Sequence, residues 1–300
     1  MNARKKDTIA GWLFAMPGIL GFALFTVGPM IVSLVLSLTD YHSLSTPKFI
    51  GFDNYKHLLG GQDPFFYKSL KATGYYALLG VPSQLIFAFL IAMLLNRKLY
   101  LRGMFRAIFY MPTIVPAIAT AMIWLWLVNP DFGLFNSVLD QLGLPTSKWI
   151  FSEKSVIPTL VFMSLWTTGT TMVIFLAGLQ GVPRHLYEAI EIDGGKPIHK
   201  FLYVTLPMMT PTLFFNLVMA IINVNESPAF TAAFVMTNGG PNDSTLFMSF
   251  HLYREAFKFQ RMGNASAIAW LLFLVIACLT FVLFKTSKNW VYYEGEGRSK

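Results

Sequence analysis

Charge is what this sequence has least of. Asp, Glu, Lys and Arg make up 13% of its 300 residues, against 55% hydrophobic, whereas a soluble domain carries about 25% charged residues. That shortage excludes an ordinary soluble chain and places the protein among integral membrane proteins. Cysteine is nearly absent too. Cys278 stands alone in an apolar run, so the sequence supplies no intrachain disulfide, zinc pattern or CxxC motif. No GxxxxGK[ST] run occurs. Gly194-Gly195-Lys196-Pro197 places a lysine after glycine but lacks the glycine-rich run and the Ser or Thr of a phosphate loop. HExxH and carboxylate pairs within apolar stretches are likewise missing, which removes the usual signatures of an intramembrane enzyme.

What is present is a series of long apolar runs. A helix needs roughly 20 residues to cross a hydrocarbon core of about 30 Å, and six runs qualify: about 11–38, 72–95, 107–128, 156–179, 208–226 and 264–284. Apolar residues continue past Pro228 to Met236, so the fifth is the least sharply bounded. Pro17, Pro112, Pro116 and Gly169 fall inside spans and predict kinks. Arg4, Lys5 and Lys6 precede a first run too long for a signal-peptide core, with no A-x-A-like site, so that run reads as a span. The expected architecture is all-α and integral to the membrane, with residues 1–300 as one transmembrane domain.

The net charge of +8 and pI near 9.5 are explained by topology without nucleic acid. An even number of spans puts both termini on one side. The termini and the loops 96–106 and 180–207 hold fourteen Lys and Arg, against nine on the longer opposite loops. By the positive-inside rule the first set is cytoplasmic. The opposite loops carry aromatic, Pro and Gly residues and read as folded; SFHLYREAFKF there predicts an interfacial helix.

One cytoplasmic loop concentrates charge. Residues 186–207 read LYEAIEIDGGKPIHKFLYVTLP. Good helix formers follow Pro183 up to Ile192. Gly194 and Gly195 end that helix, and Pro197 suits the first turn of a second. Leu206-Pro207 then marks the membrane entry. On the first helix Leu186, Ala189, Ile190 and Ile192 are apolar, and Glu188 and Glu191 sit three apart on a polar flank. So short a helix is marginal without a partner. Membrane-lying helices favour Lys and Arg on the polar face, which this one lacks. The residues alone leave two readings open, a protein dock or a structural loop.

The pattern Glu188-Ala189, Asp193-Gly194, then Val204-Thr205-Leu206-Pro207 resembles the EAA signature of permease subunits of bacterial ABC importers. Two positions depart from it: Ile190 stands for the usual second Ala, and Gly195 for the usual Ala after the Gly. FTVGPMIVSLVLSLTDY, IGFDNY, RAIFYMPTIVPAIATAMIWLWL and MTNGGPNDST resemble the carbohydrate-uptake branch of the same family (maltose, oligosaccharide and glycerol-phosphate type), so the likeness covers nearly the whole chain. The resemblance implies the type I ABC importer permease fold, with residues 184–207 as a coupling loop docked on an ATPase subunit. It assigns coupling to Glu188, Ala189, Asp193, Gly194, Gly195, Leu206 and Pro207. It implies a bacterial plasma-membrane location, multi-pass with both termini cytoplasmic. The implied partners are a second homologous permease, two ATPase subunits, an extracytoplasmic solute-binding protein and the lipid bilayer. ATP and Mg would be bound by the partner ATPase, with no cofactor on this chain.

Intramembrane ionisable residues mark function by default, and here Glu226, at the end of the fifth span, is the exception to their absence. That argues against a proton-coupled carrier. A neutral sugar would be held by aromatic faces, hydroxyls and amides. The fourth span offers Trp166, Thr167, Thr168, Thr170 and Thr171, and the fifth ends in Asn223, Asn225, Glu226 and Ser227. From these, Trp166, Thr167, Thr170, Asn223, Asn225, Glu226 and Ser227 are taken as the substrate pathway. The competing reading is hydrogen-bonded helix packing. Trp124 and Trp126 read as aromatic-belt anchors, and TNGGP at 237–241 as a tight turn. The functional expectation is half of the translocation path of an ATP-driven sugar importer; an ATP-independent secondary carrier is the alternative.

Overall fold

A computed structural model describes residues 3–42, 45–97, 99–224 and 229–292 of the chain. Among the described residues four helices are long and apolar enough to cross a membrane: α1 (Ala10–Ser37), α3 (Phe66–Asn96), α10 (Pro197–Asn223) and α13 (Met262–Ser287). Two further pairs qualify together but are bent, α4 (Arg102–Tyr110) with α5 (Ala117–Leu127) by 101°, and α7 (Val156–Leu165) with α8 (Gly169–Gly181) by 51°. Within the described residues the expected spans correspond to helix, and the bends of the third and fourth fall at Pro112–Pro116 and before Gly169, whereas Pro17 lies within a continuous helix. In the third, a 3₁₀ turn at Met111–Ile114 ends in extended Val115, the backbone that a following proline imposes. In the fourth, Trp166–Thr168 form a turn before Gly169.

The fifth span is longer than expected. It starts at Pro197 rather than 208, because the second loop helix runs into it through a π-turn at Phe201–Thr205, with Leu206 N–H bonded to Phe201 O. A π-turn is one of the few ways to seat a proline in a helix without a break, and Pro207 follows directly. Residues 225–228 lie outside the described residues, Asn225, Glu226 and Ser227 among them.

The described chain forms two compact units, Met1–Pro64 with Leu252–Phe273, and Phe65–His251 with Leu274–Lys300. In the first, β1 (Thr39–Asp40) pairs antiparallel with β2 (Lys48–Phe49). Asn54, on α2 (Asp53–Leu59), donates to Ser37 O and Thr39 O at 2.8 and 3.0 Å. Gly263 packs so closely that a Cβ there would stand 2.1 Å from Thr39 O.

The second unit holds the larger core. Apolar association between helices gains little in lipid, so close packing must hold them. Phe89, Leu95, Met172, Phe175, Leu176 and Met209 are buried together where α3, α8 and α10 meet. Two glycines bring backbones together. A Cβ on Gly169 would lie 2.7 Å from Phe109 O and 2.8 Å from Thr113 Cγ2, so the breaks of both bent spans cross there. A Cβ on Gly178 would lie 2.7 Å from Thr212 Oγ1, setting α8 against α10.

One sequence reading is corrected here and a second is narrowed. Trp124 is buried, 5% exposed, with its ring against Phe135, Phe162 and Trp166 at 5.6, 5.5 and 6.0 Å; it is a core residue, whereas Trp126 is exposed as a belt residue would be. SFHLYREAFKF is helical, as α12 (Met248–Tyr253) and a following π-turn, but Met248, Phe250 and His251 are buried in protein. Phe250 and Ala256 are thus covered by protein, whereas Phe257 and Phe259 at the end of the segment are exposed. TNGGP is a turn: Asn238 takes the left-handed conformation, and Gly240 N–H bonds Thr237 O at 2.9 Å.

Candidate functional site

The charged loop opens with α9 (Arg184–Ile192). Its end is a Schellman closure: Gly194 is left-handed with φ +74, its N–H bonds Glu191 O at 3.1 Å, and Gly195 N–H bonds Ile190 O at 2.8 Å. Pro197 then opens α10, where Lys196 N–H donates to His199 Nδ1 at 3.2 Å.

The apolar residues of α9 do not form one free face. Leu186, Tyr187 and Ile190 pack inward on the α3–α8–α10 core, and Tyr187 Oη shares a hydrogen bond with Thr205 Oγ1 at 3.1 Å. Glu188, Ala189, Ile192 and Asp193 face outward, Ile192 being 86% exposed. The loop is thus anchored by one side and open on the other. Its two glutamates differ. Glu191 is ion-paired with Lys200, bridging α9 and α10, while Glu188 has no hydrogen bond or ion pair among the described residues. Gly194 is exposed; Gly195 is half-buried against Ile190; Leu206 and Pro207 are half-buried in α10, away from the exposed face.

Where the two bent spans break, a cavity of about 560 Å³ opens between α3, α5, α8 and α10. Thr167, Thr170 and Asn223 line it, as the sequence suggested. So do Tyr76, Gln84, Thr113, Thr120, Thr171 and Asn216. Asn216 stands alone in an apolar run, while Tyr76 follows Tyr75 and Gln84 follows Ser83, so the available signal was an isolated polar residue or pair inside a span. Trp166 lines a different crevice, of about 170 Å³, with Phe87, Ile91 and Phe109.

Among the described residues, no Asp, Glu, Lys, Arg or His lines the main cavity. Its polarity comes from hydroxyls and carboxamides, several already engaged: Gln84 Nε2 donates to Ser164 Oγ at 2.8 Å, and Asn216 Nδ2 to Thr212 O at 2.9 Å. Thr120 Oγ1 is buried, in a residue 3% exposed, and has no partner among the described residues. A buried hydroxyl left unpaired costs about 1–3 kcal/mol, so a polar guest that bonded it would recover stability. The described walls favour a neutral, hydroxyl-rich guest over an ion, whose desolvation they would not offset.

Residues 84–287, containing most of the cavity wall and the whole loop, match the family model described as "Binding-protein-dependent transport system inner membrane component". The chain belongs to this family. It is a membrane-embedded permease subunit of an importer that works with a solute-binding protein. A probable ABC transporter permease, YesP of Bacillus subtilis (strain 168), is 40% identical over 296 residues, covering 97% of this chain and 94% of the relative. The trehalose/maltose transport system permease MalF of Thermococcus litoralis is 31% identical over 290 residues, covering 95% and 96%. Among solved structures, a bacterial alginate ABC transporter in complex with an alginate pentasaccharide-bound periplasmic protein has a chain of the same fold. Its TM-score is 0.81 at 23% identity, covering 94% of this chain and 96% of that one.

Proposed function

We propose that the chain is one transmembrane domain forming half of the passage for an oligosaccharide or related sugar. It pairs with a second, homologous permease, and two ATPase subunits drive it. The observation that carries the sugar reading is the cavity: about 560 Å³, lined by hydroxyls and carboxamides with no charged side chain among the described residues. Relatives named for trehalose/maltose and lactose transport support it. Thr167, Thr170, Asn223 and Thr120 would contact the substrate, and Asn225, Glu226 and Ser227 would continue the path.

In this reading the termini and the loop at 184–207 lie in the cytoplasm and the solute-binding protein delivers substrate from the opposite side. Glu188, Ala189 and Asp193 present the exposed face of α9 to an ATPase cleft, and Gly194 and Gly195 make the turn. ATP and Mg are held by that partner, and this chain supplies no cofactor site. Because Leu186, Tyr187 and Ile190 fix α9 to the core, closure of the ATPase pair would move the spans as a body.

Uptake of labelled sugar by the reconstituted complex, with ATP inside the vesicles, tests this. Glu188→Lys is expected to abolish ATP-driven uptake while leaving insertion and thermal midpoint unchanged. Normal uptake by that variant would remove the docking role. Uptake that persists without the ATPase subunits would replace the scheme with a secondary carrier.

A further inference from the structure

We propose that the crevice between α3 and α4 is a binding site for an anionic phospholipid. Its phosphate is held by Arg102 and Arg106, and its acyl chain lies against Ile91, Ile108 and Phe109. Helix α4 is nine residues long and amphipathic. Arg102, Arg106 and Phe109 are spaced i, i+4, i+7 and so share one face. Arg102 has two guanidinium nitrogens, Nε and Nη2, shielded from water without any acceptor. Among the described residues no acid pairs with Arg97, Arg102 or Arg106. A guanidinium keeps its charge at any working pH, so such nitrogens call for an anion.

About 10 Å along the helix from Arg102, Ile108 and Phe109 form one wall of the crevice of about 170 Å³, and Phe87 and Ile91 of α3 form another. Phe87 and Ile108 are exposed, so the crevice opens to the outside of the bundle. Its lining is almost wholly apolar, the polar exceptions being Trp166 and Thr168. Tyr100, 90% exposed, stands two residues before Arg102, where an aromatic at the headgroup level is expected. Basic residues on the preceding turns of the same helix face and an apolar slot beyond match the two halves of a phospholipid. A phosphodiester takes the forked N–H groups of arginine in pairs.

Native mass spectrometry of the full-length chain in detergent, with phosphatidylglycerol or phosphatidylcholine added, reads the site. Phosphatidylglycerol is expected to be retained roughly tenfold more strongly. Arg102→Gln with Arg106→Gln should reduce it to the phosphatidylcholine level, and Ile91→Trp, which fills the slot, should weaken both. If the double variant fails to elute as a single species, Arg106→Gln alone, exposed and one turn along, should still lower retention of the anionic lipid. Equal retention of the two lipids, or unchanged retention by Arg106→Gln, overturns the proposal. Competition by inorganic phosphate as effective as by the lipid would assign the arginines to a free anion. Loss of bound phosphatidylglycerol on assembly with the second permease would assign the face to a protein contact.

Discussion

Gly195 and Ile190 are fitted to each other. A Cβ on Gly195 would stand 2.3 Å from Ile190 Cγ2 and 2.8 Å from Ile190 O. These are the two positions at which the loop departs from the EAA pattern, each in place of an alanine, and they are in contact. The larger residue at one goes with the smallest at the other.

Gly195→Ala is therefore expected to lower stability by about 1–3 kcal/mol, as overpacking does, and to reduce uptake. Ile190→Ala in the same chain should recover part of the loss. Recovery is incomplete because the contact with Ile190 O remains. Thermal unfolding of the wild type, both single variants and the double variant gives the coupling directly; strictly additive effects would mean that the positions do not interact.

The two glutamates of α9 should separate in experiment. Glu191→Gln removes the ion pair with Lys200, whose exposed setting limits the loss to less than about 1 kcal/mol. Its effect should appear in the midpoint of unfolding. Glu188→Lys should leave the midpoint unchanged and remove ATP-driven uptake, measured on the same preparations.

Gly169 and Gly74 make a second pair. Gly169→Ala pushes a methyl into Phe109 O and Thr113 Cγ2 and should lower the unfolding midpoint while disturbing the crossing of the two bent spans. At Gly74, on exposed α3 surface, an added Cβ meets nothing within 4 Å. Gly74→Ala should be neutral or stabilising by up to about 1 kcal/mol.

Thr167→Trp should fill the cavity beside Thr170 and Asn223. Uptake is expected to fall at least tenfold or the accepted sugar to become smaller, with the chain still folded by thermal unfolding. Unchanged transport kinetics would take Thr167 out of the path.

The helices and the grammar of the loop were legible because each rests on local signals: apolar run length, Gly194 at a left-handed turn, Pro197 at a helix start. The extent of the fifth span was not, since Leu206-Pro207 reads as a boundary and the π-turn that accommodates it leaves no mark in the sequence. The inward turn of Leu186 and Ile190 was hidden for another reason. Periodicity finds an apolar face but cannot tell whether a chain's own core or a partner covers it. The cavity was half legible: the Thr cluster after Trp166 announces itself, whereas Tyr76 and Gln84 on α3 and Asn216 on α10 converge with it only in three dimensions. Trp124 looked like a belt residue because its partners, Phe135 and Phe162, are distant in sequence.

The unbroken course of α10 has a mechanical consequence. Its 27 residues make a rod about 40 Å long, with its foot in the loop beside α9 and its far end at Asn223, in the cavity wall. Pivoted at the foot by about 5°, such a rod would sweep Asn223 through roughly 3.5 Å, more than the whole tolerance of a hydrogen bond. A slight tilt at one membrane surface is then leverage enough to make or break a grip on the solute, with no part of the helix having to unwind.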